Sequence, residues 1–359
     1  MSNVLGVLSP KRIGAIYVWI ALIILFSILS PYFAEYATVS QVLNQYAVTG
    51  LIALGLLLPL AAGIYDLSVG SVVGLAGMTA AWFLRNVSDN PFLAIAAGLC
   101  AALIVGLINS VVLLVLRVDS FIGTLATSSI VTALVVAISN NNVITFDPNG
   151  PFSELLAINN VFDLRLPVAM WLVVVLILAY VMEATSFGRR LYAIGFDQEV
   201  ARLGGIRVDR LRMLSLLASS LLAGLAGVCA SAALSAGDPS VGPGYLLAAF
   251  AAAFLGATQF RRGRFNPWGT LVAVLLLGSA NVGLLLSGSP TWGPDIFAGA
   301  LLIVAVALTH SHTKFLRRFR WRKSGPPEGA PSSDAGDSVL VADGVKAPGV
   351  AGIGDKDRA

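Results

Sequence analysis

Asp66 stands in GIYDLSVGS, residues 63–71, as a lone carboxylate between two long apolar runs. Hydrocarbon tolerates a carboxylate only at considerable cost, so such a residue is by default a substrate, ion or proton site. Just before an apolar helix it has a second use. Its side chain can accept the Ser68 or Val69 N–H as an N-cap and meet the positive helix end. Asp66, Ser68, Gly70 and Ser71 would then mark a helix break, and capped ends of that kind can line a solute route beside water. A second polar cluster is EVARLGG, residues 199–205, inside an arginine-rich loop. Asp197 is a good N-cap, Gln198 to Leu203 suffice for nearly two turns, and Gly204–Gly205 can stop them. Val200 and Leu203 share one face of those turns and Glu199 and Arg202 another. A short amphipathic helix of this type suits docking into a cytosolic partner or resting on lipid.

Other chemistry is sparse. Cys100 and Cys229 lie inside apolar runs, and His310 and His312 close the last one, so no disulfide framework, metal site or haem is expected. The sequence has no G-x-x-x-x-G-K phosphate loop, and no DxxD pair, HExxH or Ser/His/Asp arrangement is placed for catalysis within the membrane. No catalytic residue and no cofactor follow. Ion-coupled transporters usually display ionisable residues in their spans. Here the spans are nearly free of charge, Asp66 and Glu183 being among the few acids close to them, which favours a passive pathway driven from elsewhere.

The elements that hold these residues are read from apolar run lengths. The 359 residues are 57% hydrophobic and 12% charged, about half the charge of a soluble domain. A span needs roughly 20 apolar residues. Runs at 14–31, 45–63, 67–84, 92–116, 120–139, 166–184, 211–235, 244–259, 268–287 and 294–310 give an all-α polytopic membrane protein with about ten transmembrane helices. No small-residue cleavage site follows the first run, which is read as an uncleaved span. With both termini cytoplasmic, the inner loops hold Arg117, then Arg189, Arg190, Arg202, Arg207, Arg210 and Arg212, then Arg261, Arg262 and Arg264. The inner C-terminal flank adds Lys314, Arg317, Arg318, Arg320, Arg322 and Lys323. Outer loops hold only Arg85 and Arg165, beside acids such as Glu35, Asp163 and Asp295. This asymmetry is the positive-inside signature, so the net charge of +4 reflects topology and no nucleic-acid partner is expected. Small-residue pairs four apart, Gly70/Gly74, Ala102/Gly106 and Ala223/Gly227, suit close helix packing.

The chain thus divides into a cytoplasmic segment 1–13, a transmembrane domain 14–310 with an inner loop 186–212, a basic flank 311–323 and a tail 324–359. The tail has the Pro, Gly, Ser and Asp content of a disordered segment.

EVARLGG resembles the EAA-x3-G coupling loop of ABC importer permeases, with Val200 in place of the middle alanine. GIYDLSVGS resembles the G-G-I-D-L-S-V-G-S segment of ribose-type permeases, with Ile64 and Tyr65 as departures. GRRLYAIGFDQEVARLGGI, LAGLAGV and PSVGPGYLLAAFAAAFLGAT continue the pattern in order over roughly residues 40–310. The resemblance implies a type II ABC importer-like permease subunit of a bacterial cell membrane that carries a simple sugar. It implies ABC ATPase subunits inside, an extracytoplasmic sugar-binding protein outside, a second permease copy or paralogue, and surrounding membrane lipid. ATP hydrolysis would reside on the ATPase subunits. On that analogy Glu199, Ala201, Arg202, Gly205 and Arg207 belong to the coupling helix, and Glu199, Arg202 and Arg207 are polar contacts to the ATPase.

One segment departs from that pattern. Where the family is small and glycine-rich, this chain has GATQFRRGRFNPWGT, residues 256–270. Three arginines and two phenylalanines there suit an interface anchor, or an extra contact to the ATPase or to anionic lipid. An importer for branched-chain amino acids or nucleosides, an ion-coupled transporter and a membrane enzyme are the alternative readings.

Overall fold

In a computed structural model the described residues are 14–158, 160–260 and 263–323, without the side chains of 160, 161 and 309–323. Segment 1–13, Arg261, Arg262, the tail, and the side chains of His310, His312 and the basic flank lie outside the described residues.

Among the described residues ten helices overlap the ten expected spans. They are α1 (Gly14–Leu29), α2 (Tyr36–Ala61), α3 (Val69–Asn86), α4 (Pro91–Ser110), α5 (Ser120–Ser139) and α6 (Leu166–Ala184). After two short helices, α7 (Ser186–Phe196) and α8 (Gln198–Leu203), come α9 (Val208–Leu234), α10 (Val241–Thr258), α11 (Pro267–Leu286) and α12 (Gly293–Lys323). Seven of these are long and apolar enough to cross a membrane, namely α2, α4 with its π-helical extension Val111–Val115, α5, α6, α9, α10 and α11. Helix α3 falls short because it carries three glycines and ends on Arg85 and Asn86. It needs little lipid solubility, since α4, α5, α9 and α10 cover it.

The core sits around α2, α3 and α9. Small residues set its spacing. A Cβ on Gly227 of α9 would lie 2.2 Å from the Val73 carbonyl, and one on Gly242 of α10 would lie 2.4 Å from the Gly70 carbonyl. Helices meet there backbone to backbone, as close packing in lipid favours.

Two details were not legible. Helix α2 starts nine residues before the expected run, because YATVSQVLN is polar enough to hide its first turns. Thr38 and Ser40 bond the nearby Tyr32 and Ala37 carbonyls, which lets them lie buried. At the end of the bundle away from α8, β1 (Ile144–Thr145) pairs antiparallel with β4 (Ala236–Gly237), placing Ile144 opposite Gly237. Between them in sequence, β2 (Asn160–Val161) and β3 (Leu164–Arg165) form a hairpin. Asn44 ties that hairpin to α2, donating to the Asp163 carbonyl and accepting the Arg165 N–H.

Candidate functional site: a buried helix break and an exposed short helix

Helix α2 stops where Gly63 adopts a positive φ of 74°. The Ile64 N–H reaches back 2.9 Å to the Pro59 carbonyl and the Gly63 N–H 3.1 Å to that of Leu60. This is a Schellman motif, which needs a residue at ease in the left-handed region. The chain then runs unwound until Val69 opens α3.

Asp66 lies in this break with no exposed surface. Its Oδ1 accepts the Ser68 N–H at 3.1 Å and the Ser68 hydroxyl at 2.6 Å. Its Oδ2 accepts the Ser219 hydroxyl from α9 at 3.1 Å. Asn109 of α4 donates from Nδ2 to Ser68 Oγ at 2.7 Å, and Ser71 Oγ donates to the Ser68 carbonyl at 2.8 Å. Thr124 of α5 grips the flanks of Asp66, donating to the Tyr65 carbonyl and accepting the Leu67 N–H, each at 3.0 Å. The carboxylate thus gathers α4 and α9 around the start of α3. Ser219 lies eleven residues into α9, about 16 Å of rise, so the break reaches well into the bundle.

The capping role expected of Asp66 takes the form of a turn onto Ser68; Ser68 itself occupies the cap position without its side chain bonding a helix N–H, and Val69 N–H does not reach the carboxylate. Gly70 faces Gly242 of α10. Asn109, Thr124 and Ser219 were missed. A lone asparagine within LIVGLINSVVLL was the available signal, since a polar residue inside a span faces protein.

The loop 186–212 is mostly helical, which the sequence reading did not anticipate for 186–196. Glycine lets α7 pack tightly: a Cβ on Gly188 would lie 2.2 Å from the Met182 carbonyl, and one on Gly195 would lie 2.1 Å from the Ala61 carbonyl. Gly195 therefore rests directly on the end of α2. Asp197 then caps α8, accepting the N–H groups of Glu199 and Val200 at 3.0 and 3.1 Å. Gly205, at φ 77°, closes α8 with a second Schellman motif. Ile206 N–H bonds the Ala201 carbonyl at 3.1 Å and Gly205 N–H that of Arg202 at 3.0 Å.

Ala201 is the buried residue of α8. Glu199, Arg202, Gly205 and Arg207 are exposed. Arg202 is engaged within the chain, 3.6 Å from both Glu199 and Asp209. Large apolar side chains are strongly exposed here, Phe196 at 87% and Leu203 at 88%, with Val200 also exposed.

The departing segment 256–270 is built into the same end of the bundle. Arg264 stacks over the Tyr192 ring at 5.7 Å, and the Tyr192 hydroxyl donates to the Phe265 carbonyl. Phe265 packs edge-on against Phe254, which stacks with Tyr65 beside Asp66. Asn266 holds the loop, donating to the Gly256 and Gln259 carbonyls.

The described residues thus form a bundle of apolar helices with a buried unwound link between α2 and α3 and an exposed short helix at one end. The chain belongs to the family described as branched-chain amino acid transport system / permease component, whose model matches residues 38–306. It is 32% identical over 298 residues to the ribose import permease protein RbsC of Bacillus subtilis, covering 83% of this chain and 92% of that one. It is 30% identical over 293 residues to the L-arabinose transport system permease protein AraH of Escherichia coli, with 82% and 88% covered. The L-arabinose ABC transporter permease protein AraH of Azospirillum brasilense is 29% identical, with 82% and 86% covered. No solved structure matches the chain significantly. The protein is a permease of the ABC transporter class, resident in the bacterial inner membrane.

Proposed function

We propose that the chain is the transmembrane subunit of an ATP-driven importer and forms the pathway for a monosaccharide. The similarity to ribose and arabinose permeases over more than four fifths of the chain carries this reading. An extracytoplasmic binding protein delivers the sugar, and two permease chains enclose the route. ATPase subunits dock at the cytoplasmic end, which is the α8 end by the distribution of arginine. Helix α8 is the coupling helix. It is held by its cap, by the Schellman turn and by Arg202, and it offers Phe196, Val200 and Leu203 outward. Arg202 therefore positions the helix, and apolar anchors make the principal contact, as buried anchors do in most interfaces. Gly195 on Ala61 gives ATPase-driven motion a direct route to the helix break.

The test is reconstitution in lipid with candidate ATPase and binding proteins, measuring substrate-stimulated ATP hydrolysis and uptake. Stimulation by a pentose supports the sugar reading. The family description favours one competitor, and stimulation by leucine but by no sugar would establish it in place of the sugar. Uptake driven by an ion gradient without any ATPase would overturn the importer reading itself.

A further inference from the structure

Asp66, Ser68, Asn109, Ser219 and Ser220 have no exposed surface between them. Among the described residues no lysine, arginine or histidine pairs with the carboxylate. A buried ion without a partner costs several kcal/mol, and the α3 N-terminus offers it only partial positive charge. The same cluster holds two polar atoms with no hydrogen-bond partner, Asn109 Oδ1 and Ser220 Oγ. They flank one stretch of α4, because Ser220 Oγ would touch a Cβ placed on Gly106 at 2.8 Å, one turn before Asn109.

With Asp66 ionised, the hydrogen-bond chain runs from Asn109 Nδ2 to Ser68 Oγ and from Ser68 to Asp66 Oδ1. Asn109 Oδ1 is then left over. A proton on Asp66 Oδ1 reverses the chain. Asp66 donates to Ser68 across the same 2.6 Å, and Ser68 donates to Asn109 Oδ1 across the same 2.7 Å once the amide turns over. The amide nitrogen then takes the place that the unpartnered oxygen held. No heavy atom needs to move far, and the buried charge and the orphaned oxygen disappear together, leaving only a neutral amide N–H without a partner.

We propose that Asp66 is a proton-binding site, taking one proton from water and passing the reversed hydrogen-bond polarity through Ser68 to Asn109. The surrounding elements contribute no competing charge at bonding distance. Arg212 on α9 lies about 10 Å of rise below Ser219. Asp209 and Arg210 are farther down that helix and Cys229 farther up it. Helix α4 carries Cys100 two and a half turns away, α3 carries Arg85 at its far end, Asp119 caps α5, α10 carries Tyr245, and α2 and the break itself offer Tyr46 and Tyr65. Proton loss puts a charge and an unmet acceptor at the junction of α3, α4 and α9. It therefore loosens the break. This inference concerns the break alone and stands whether or not the substrate reading does.

The experiment uses the full chain in lipid nanodiscs, following thermal unfolding and the protonated-carboxyl C=O infrared band from about pH 5 to about pH 9. The unfolded carboxyl is ionised throughout that range. A proton held only by the folded state makes stability fall as pH rises, with the unfolding constant growing by up to about tenfold per pH unit until the folded site has also ionised. Asp66→Asn, a neutral mimic of the same shape, should abolish both the slope and the band. Should that variant fail to fold, Asn109→Leu should keep the band but shift the pH at which it disappears. A wild-type protein without the band, or a band or slope that survives in Asp66→Asn, overturns the proposal. Stability that follows sodium concentration at fixed pH, and not pH, assigns the site to a cation and overturns it as well.

Discussion

Gly63 and Gly205 end their helices by the same Schellman motif, yet the two turns live in opposite surroundings. A Cβ at Gly63 would meet Gly195 at 3.7 Å, whereas one at Gly205 would meet nothing within 4 Å. Beyond Gly63 the chain enters a break whose polar groups are buried and shared among α4, α5 and α9. Beyond Gly205 it returns to α9 through exposed arginines. Identical local geometry therefore serves two ends. In the interior it lets a helix stop where irregular backbone is paired by neighbouring side chains. At the surface it presents a short helix rigidly to something outside the chain.

The strongest test of that contrast is at the contact between the two regions. Gly195→Val places a branched side chain where the Ala61 carbonyl already sits, and close-packed backbone cannot yield cheaply. Gly205→Ala strains only its own φ. We expect Gly195→Val to cost more than about 3 kcal/mol or to prevent folding, and Gly205→Ala to cost about 1 kcal/mol. Thermal unfolding in matched detergent decides it. Equal, mild effects would mean that α7 does not bear on the break.

Leu203→Asp comes next. Leu203 is 88% exposed, so its removal should leave stability within about 0.5 kcal/mol. Stimulated ATP hydrolysis in the reconstituted importer should nevertheless fall about tenfold or more, the scale of a lost interface anchor. Lost stability with intact stimulation would show that Leu203 packs within the chain and that α8 is not the docking element.

These expectations draw on features with very different visibility in the sequence. Run lengths alone placed the ten long helices, because hydrocarbon demands an apolar stretch of nearly fixed length. The α8 turn was equally plain, since Asp197, Gly204 and Gly205 act through local backbone geometry. Helix α7 was not, because SFGRRLYAIGF mixes arginines and glycines and is held by close packing on Met182 and on Ala61, the latter far away in the sequence. The partners of Asp66 were hidden for the same reason. Ser219 is 153 positions away and Asn109 is 43, and no local rule joins them. Arg264 illustrates the limit from the other side. Its loop reads as an anchor or a contact to partners, while the fold turns that arginine onto Tyr192.

The smallest expected effect belongs to Arg202, and it separates positioning from docking. Its guanidinium is half exposed and lies 3.6 Å from two exposed carboxylates. Pairs of this kind contribute no more than about 1 kcal/mol and weaken with salt. Arg202→Gln should therefore leave global unfolding nearly unchanged, because the Asp197 cap and the Gly205 turn still define α8. Stimulated hydrolysis should drop only a few-fold, and added salt should reproduce most of that drop in the wild type while barely affecting the variant. The distinguishing variant is Arg202→Glu, which sets like charges beside Glu199 and Asp209 and frays the helix from within. Pairing it with Glu199→Arg and Asp209→Arg restores opposite charges inside the chain but inverts every charge shown to a partner. Recovery of stimulation in that triple variant places the role of Arg202 inside the permease. Continued failure with normal stability places it across the interface, and the apolar anchors would then not act alone.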